Sequence, residues 1–168
     1  MASARGNQGL AVVAPGRSGE ELEQAAVWFC GHCGARSEPD GAEFTTRVCR
    51  SCNLGLLLQA DAGVAPEPGA AFMVLDSAMS ICGLSKRAEK LLATTETAAV
   101  NHHVTELVVP ADAEAHAPAN LAVAVTWAAR GDPTARKVVV RPSRTFGVRL
   151  KARIASCGPP RAALLVFD

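Results

Sequence analysis

Four cysteines in two pairs are the residues whose type and spacing carry chemistry. Cys30-Gly31-His32-Cys33 and Cys49-Arg50-Ser51-Cys52 form the pattern C-x2-C-x15-C-x2-C. A C-x2-C turn brings two thiolates to one ion while backbone N–H groups point at the sulfurs. Two such turns close a tetrahedral S4 site, the geometry Zn2+ accepts without strain. Cys30, Cys33, Cys49 and Cys52 are therefore expected to hold one zinc ion. Four thiolates leave no open coordination position, so the ion's role would be structural, not catalytic. Gly31 and Gly34 suit the unusual backbone angles of such turns. His32 is expected to be a solvent-exposed residue between ligands. Its replacing a cysteine as ligand, and four free or redox-active thiols, are the alternatives.

The elements that position these turns follow from composition and pattern. The chain has 168 residues, is 49% hydrophobic and 20% charged, and carries a net charge of +1. That suits a folded α+β chain and excludes wholesale disorder and a globally basic nucleic-acid binder. The N-terminus has no apolar run after a charged start, and no run approaches a membrane span. A cytoplasmic location with reduced thiols is expected.

Residues 1–17 read as a flexible tail rich in Gly, Ala, Ser and Pro. Ser18 and Glu21 have capping-box spacing, and Leu22, Ala25, Ala26 and Phe29 follow at helical intervals, so a short helix is expected to reach residue 28. Residues 18–58 thus form a capped helix and a cysteine module, and residues 59–70 a Pro/Gly/Ala linker. A module this small cannot bury enough core by itself, so the metal should supply most of its folding energy.

Residues 71–168 read as a second module. Strands are expected at 72–75, 79–84, 136–141, 147–156 and 162–167. A helix is expected at 86–92, a loop at 94–97 and a helical or turn segment near 100–108, broken by Pro110. A long helix over 113–130 should begin at or just before Pro118 and stop at Gly131-Asp132-Pro133. Short connections between the last three strands imply antiparallel pairing, and the simplest packing is a five-stranded antiparallel sheet with helices over one face.

The paired cysteines resemble a zinc ribbon, a small module that contacts nucleic acid or protein. Arg36, Arg47 and Arg50 are balanced by Glu38, Asp40 and Glu43, which favours a structural or protein-contact role.

In the second module, Phe72-Met73-Val74-Leu75-Asp76-Ser77, Ile81-Cys82-Gly83-Leu84-Ser85 and Lys86-Arg87-Ala88-Glu89-Lys90-Leu91-Leu92 resemble the opening of a PAS domain. Ser85 stands where that family often has Asn, and Ala88, Leu91 and Leu92 keep the apolar positions. Val104-Thr105-Glu106-Leu107-Val108-Val109-Pro110-Ala111-Asp112 resembles the segment that follows in the family. The resemblance implies a sensory or interaction module. Its pocket between sheet and helices would hold haem, flavin, a small metabolite or nothing. It also implies output through the sheet's outer face or a flanking helix to a partner or a second copy.

Light-sensing members with a flavin carry a Cys where His102 stands, so no flavin adduct is expected. His102, His103 and His116 are weak candidates for an axial ligand, against a reading as solvated polar residues. Cys82 and Cys157 are expected as small buried residues, with a redox pair as the alternative.

Eight cations and no acid lie between Pro133 and Arg161. Alternation places Arg149, Lys151 and Arg153 on one face and Val148, Leu150, Ala152 and Ile154 on the other, with Lys137, Val139 and Arg141 extending the first. One sheet face is thus expected to be cationic. It would be a solvated surface, a dock for an acidic partner, or a phosphate-binding surface. No catalytic signature is present, and Asp76 and Asp112 read as turn and cap residues, so no enzyme is expected. Since the sequence ends just after its last strand, output is expected to pass through the ribbon, the N-terminal helix or a separate partner. Together these readings point to a cytoplasmic sensory or regulatory protein in signal transduction or transcription regulation. The alternative is a nucleic-acid-binding regulator using the ribbon and the cationic face.

Overall fold

Val27 and Phe29 alternate with Ala26 and Trp28, a period of two that suits a strand. In the computed structural model, which describes residues 25–37, 47–111 and 120–168, Ala26–Cys30 is strand β1. This corrects the helix expected to reach residue 28. The remainder of that segment and the tail 1–17 lie outside the described residues. β1 pairs antiparallel with β2 (Arg36–Ser37) and with β3 (Leu57–Asp61), setting Phe29 opposite Leu58 and Cys30 opposite Leu57. Residues 59–61, expected at the start of a linker, are therefore strand. Their polar residues face out while Leu58 and Ala60 are buried.

The second sheet has six strands rather than five. They are β4 (Phe72–Leu75), β5 (Ile81–Leu84), β6 (Val108–Pro110), β7 (Arg136–Pro142), β8 (Leu150–Cys157) and β9 (Ala162–Phe167). Their order is β5-β4-β9-β8-β7-β6, and every neighbouring pair is antiparallel. The added strand is β6, in the stretch expected to end at Pro110. β6 lies at the sheet edge, where a proline's missing N–H breaks no ladder bond.

Helix α1 (Lys86–Leu92) falls where the sequence placed it. Ser85 caps it: its Oγ accepts from the Ala88 N–H at 3.3 Å and the Phe72 N–H at 3.0 Å, and donates to the Ala70 carbonyl at 2.9 Å. One hydroxyl thus closes the helix and ties it to β4. The expected loop at 94–97 contains the start of α2 (Glu96–Ala99), capped by Thr95. α3 spans Leu121–Ala129 and begins later than expected, because Asn120 accepts the Ala122 and Val123 N–H groups at 2.9 and 3.4 Å. Pro118 and His116 lie outside the described residues. Gly131, at φ +94°, ends α3 as anticipated.

Both faces of this sheet are covered at β9, which is why all six of its residues are buried. Met73, Leu75, Ile81, Ile154 and Leu165 meet α1, α2 and α3 on the inner face in one apolar cluster. On the outer face Phe72, Val74, Leu164 and Val166 pack against Phe29, Leu58 and Ala60 of the cysteine module. The expectation of a wholly cationic outer face is thereby corrected. Cations occupy only the β7–β8 half, where Lys137 pairs with Arg153 and Val139 with Lys151. Arg136 points to the other side, bonded to Asp132 at 2.9 Å and lying over Trp127. The outer surface of β4 and β9 is apolar and serves as the seat of the cysteine module.

Main-chain bonds seal the junction. Gln59 and Gly158 exchange N–H···O bonds of 2.5 and 3.0 Å. Arg47 donates to the carbonyls of Leu57, at 3.2 Å, and Pro159. Among the described residues no helix is long and apolar enough to cross a membrane.

Candidate metal centre

The two cysteine turns repeat one backbone solution. After Cys33, Gly34 adopts φ +73° and its N–H bonds to the Cys30 carbonyl at 2.9 Å. After Cys52, Asn53 adopts φ 55° and its N–H bonds to the Cys49 carbonyl at 2.8 Å. Gly and Asn are the residue types that enter the left-handed region most readily. Gly31, also expected to need unusual angles, has an ordinary φ and is instead constrained by space: a Cβ there would lie 3.3 Å from Leu58 Cδ1.

The turns aim their N–H groups at sulfur. Cys30 Sγ accepts from His32 and Cys33 at 3.4 Å, Cys49 Sγ from Ser51 at 3.3 Å, and Cys52 Sγ from Gly55 at 3.4 Å. All four sulfurs lie within 4.8 Å of one another. Cys30 Sγ is 3.7 Å from Cys52 Sγ, and Cys33 Sγ is 3.8 Å from Cys49 Sγ. These separations are far from an S–S bond of about 2.05 Å. They match the edge of a sulfur tetrahedron with metal–sulfur bonds of about 2.3 Å, which is about 3.8 Å. The four cysteines can therefore hold a metal ion.

Electrostatics point the same way. Burial pushes the Cys30 thiol up to about 12 and raises Cys33. Burial also opposes ionisation of Cys52, yet the N–H groups of Gly55 and Leu54 and the neighbouring thiols bring it down to about 6. A cation among the sulfurs would favour the thiolate form that burial opposes at Cys30 and Cys33.

Gly55 is the position sequence reasoning missed. A Cβ there would collide with Cys30 Sγ and lie 2.7 Å from His32 Cβ and 3.0 Å from His32 N. Gly55→Ala should push the two turns apart and weaken metal binding by about 10–100-fold. Competition with a chromophoric chelator measures this directly. Its only sequence signal is a glycine three residues after the last cysteine.

His32, expected in solvent, is instead largely covered. Its Nδ1 pairs with Glu96 Oε2, and the His32 side chain retains 15% exposure. The other Glu96 oxygen accepts the Leu84 N–H at 3.0 Å, and the Glu96 N–H donates to Glu89 Oε1 at 2.7 Å. A residue between two of the clustered cysteines is thus bonded to α2, and through it to β5 and α1.

The other candidates fall elsewhere. His102 and His103 are exposed and engaged locally, His102 with Glu106 at 2.9 Å and His103 with Thr105 at 2.7 Å. His103 and Glu106 form the capping box of the short turn Val104–Glu106. Asp76 is the turn residue expected, its Oδ1 accepting the Ala78 and Ser80 N–H groups at 2.8 Å. Asp112 lies outside the described residues. Cys157 is buried as expected, which pushes its thiol up to about 12. Cys82 is exposed, correcting the buried reading, because it points away from the inner core toward a cleft. Partial desolvation and the Asp76 carboxylate raise its thiol.

The cleft has a volume of about 500 Å3. It lies between the two cysteine turns and the outer face of β4 and β5, and is lined in part by Gly31, Leu56, Val74, Cys82 and Glu96.

No protein-family model matches the chain, and no curated protein matches it. Among solved structures it is similar to the PAS domain of nitrogen regulation protein NR(II) from Vibrio parahaemolyticus. That match has a TM-score of 0.44 and 13% identity, covering 60% of this chain and 88% of that one. It is also similar to the PAS domain of an HTR-like protein from Haloarcula marismortui, with a TM-score of 0.44 and 18% identity, covering 59% and 79%.

Proposed function

We propose that this chain is a non-catalytic sensory or protein-interaction module of the PAS type, locked in shape by one zinc ion in a ribbon. It would act in the cytoplasm in signal transduction or transcription regulation. The observation that carries this reading is the set of four sulfurs within 4.8 Å of one another on a small sheet seated against a larger antiparallel sheet. Zinc is the preferred ion because an all-thiolate tetrahedral set suits it and needs no open position. Output would pass to a partner protein or a second copy through the part of the outer face that the ribbon leaves uncovered.

Native mass spectrometry with an absorbance scan tests this reading. The expected result is one zinc per chain and no chromophore absorbance. Protein that takes up no metal would overturn the structural-zinc reading.

A second reading, a nucleic-acid-binding regulator, is favoured by one feature. Phe146, 84% exposed, stands on the β7–β8 loop with the Arg141 guanidinium carbon 5.1 Å from its ring centroid, and the same loop carries exposed Arg144. Binding to single-stranded oligonucleotides that weakens steeply with salt would support it.

A further inference from the structure

The outer-face cleft has features that the fold does not require. Its size is that of a small-molecule site, roughly 300–1,000 Å3 in other proteins. Leu54 and Leu56, from the second cysteine turn, line it and remain 75% and 51% exposed, although large apolar side chains gain by burial. Leu58 and Val74 supply an apolar floor.

The charges bordering this space are mainly acidic. Glu96 is satisfied at both oxygens, by His32 and by the Leu84 N–H. Asp76 uses Oδ1 for the Ala78 and Ser80 N–H groups. Its second oxygen has no hydrogen-bond partner among the described residues. Arg161 also borders the cleft, but its guanidinium runs beside Gly131, with Nε 3.6 Å and Cζ 3.8 Å from where a Cβ of Gly131 would stand. An anionic ligand would therefore meet a carboxylate with no counter-charge directed at it. A cation would complete the free side of Asp76.

We propose that the cleft between the cysteine turns and the β4–β5 face binds a small organic cation, its apolar body against Leu54, Leu56, Leu58 and Val74 and its ammonium on Asp76. This goes beyond the sensory reading by naming a ligand class and a location away from the space between sheet and helices. It rests on the metal reading, because Gly31, His32, Leu54, Gly55 and Leu56 form one wall only while the two turns are held together. Ligand and metal are then linked, each strengthening the other by the same factor.

Three probes with one aromatic body separate the outcomes: phenethylamine, 2-phenylethanol and 3-phenylpropionate. Each is titrated into the zinc-loaded full chain by two-dimensional NMR, with metal content measured on the same sample. The amine is expected to bind about tenfold more tightly than the acid, and to shift the amides of Cys82 and Gly83. Asp76→Asn keeps the Oδ1 acceptor that holds the turn, and should erase the preference for the amine while leaving the spectrum folded. Equal affinity for the three probes, an unchanged preference in Asp76→Asn, or no binding to zinc-loaded chain would each overturn the proposal and leave the metal reading intact. Protein that holds no metal would overturn both.

Discussion

Stripping the metal from Cys30, Cys33, Cys49 and Cys52 is expected to unfold the β1–β3 module and expose the apolar outer face of the larger sheet. Structural zinc sites in small modules contribute apparent binding energies of about 10–16 kcal/mol near neutral pH, and the same energy is folding energy. Here the module's own cluster is small, built on Cys30, Cys49 and Leu57, and its largest buried side chain, Phe29, lies against Phe72 of the other sheet. Without the ion, the buried Cys30 thiol holds its proton, and the two turns are joined by the Gly31 N–H to Leu56 carbonyl bond at 2.9 Å and by the β1–β3 ladder, with no covalent bond between their sulfurs.

Chelation should therefore lower strand content, shift the emission of Trp28, which packs beside the cysteine cluster, and raise binding of an apolar dye. Cys49→Ser should reproduce all three changes with no chelator present. A chelated protein with an unchanged far-ultraviolet spectrum and no dye binding would show that the metal does not hold this module. Protons compete with metal for thiolates, so the same unfolding should appear as pH falls, at a pH that drops as zinc concentration rises.

Phe72→Ala is expected to cost about 3–5 kcal/mol, a large share of the stability of a typical domain. Phe72 is fully buried on the outer face of β4, and its ring meets Phe29 edge-on with centroids 5.9 Å apart and planes at 88°. Its Cε1 lies 3.0 Å from where a Cβ of Gly34 would stand, so it also backs the first cysteine turn. Truncation leaves a void between module and sheet that the bonds at Gln59 and Gly158 keep from collapsing. Urea denaturation should show a large fall in midpoint, and metal affinity should fall with it because Gly34 loses its support. Phe146→Ala, at an 84% exposed ring, should change stability by no more than about 0.5 kcal/mol. Similar losses from the two substitutions would mean that the module does not depend on its seat.

The grouping of the four cysteines was legible from spacing. A C-x2-C turn is a local object whose geometry needs only its own backbone, so Cys30, Cys33, Cys49 and Cys52 could be named before any fold was known. The strands at 72–75 and 162–167 and the helix at 86–92 were legible for the same reason: an apolar run or a cap lies within a few residues. The antiparallel pairing of β7, β8 and β9 followed from their short connections, whereas the pairing of β4 with β9 joins residues far apart in the chain.

Only the tertiary structure decided what the second face of the larger sheet is for. Phe72, Val74, Leu164 and Val166 read as members of continuous apolar strands, and nothing local says that alternate residues serve different cores. β1 was mistaken for helix because Ala25, Ala26 and Phe29 fit a helical stripe, while the partner that makes it a strand, β3, lies some thirty residues away. β6 depends on an edge position that only the assembled sheet creates. The His32–Glu96 bond joins residues 64 positions apart, and the cleft beside it exists because two sheets meet. Spacing fixes a turn and the cysteines it presents, whereas a packed face or a cleft is a property of surfaces that chain order does not bring together.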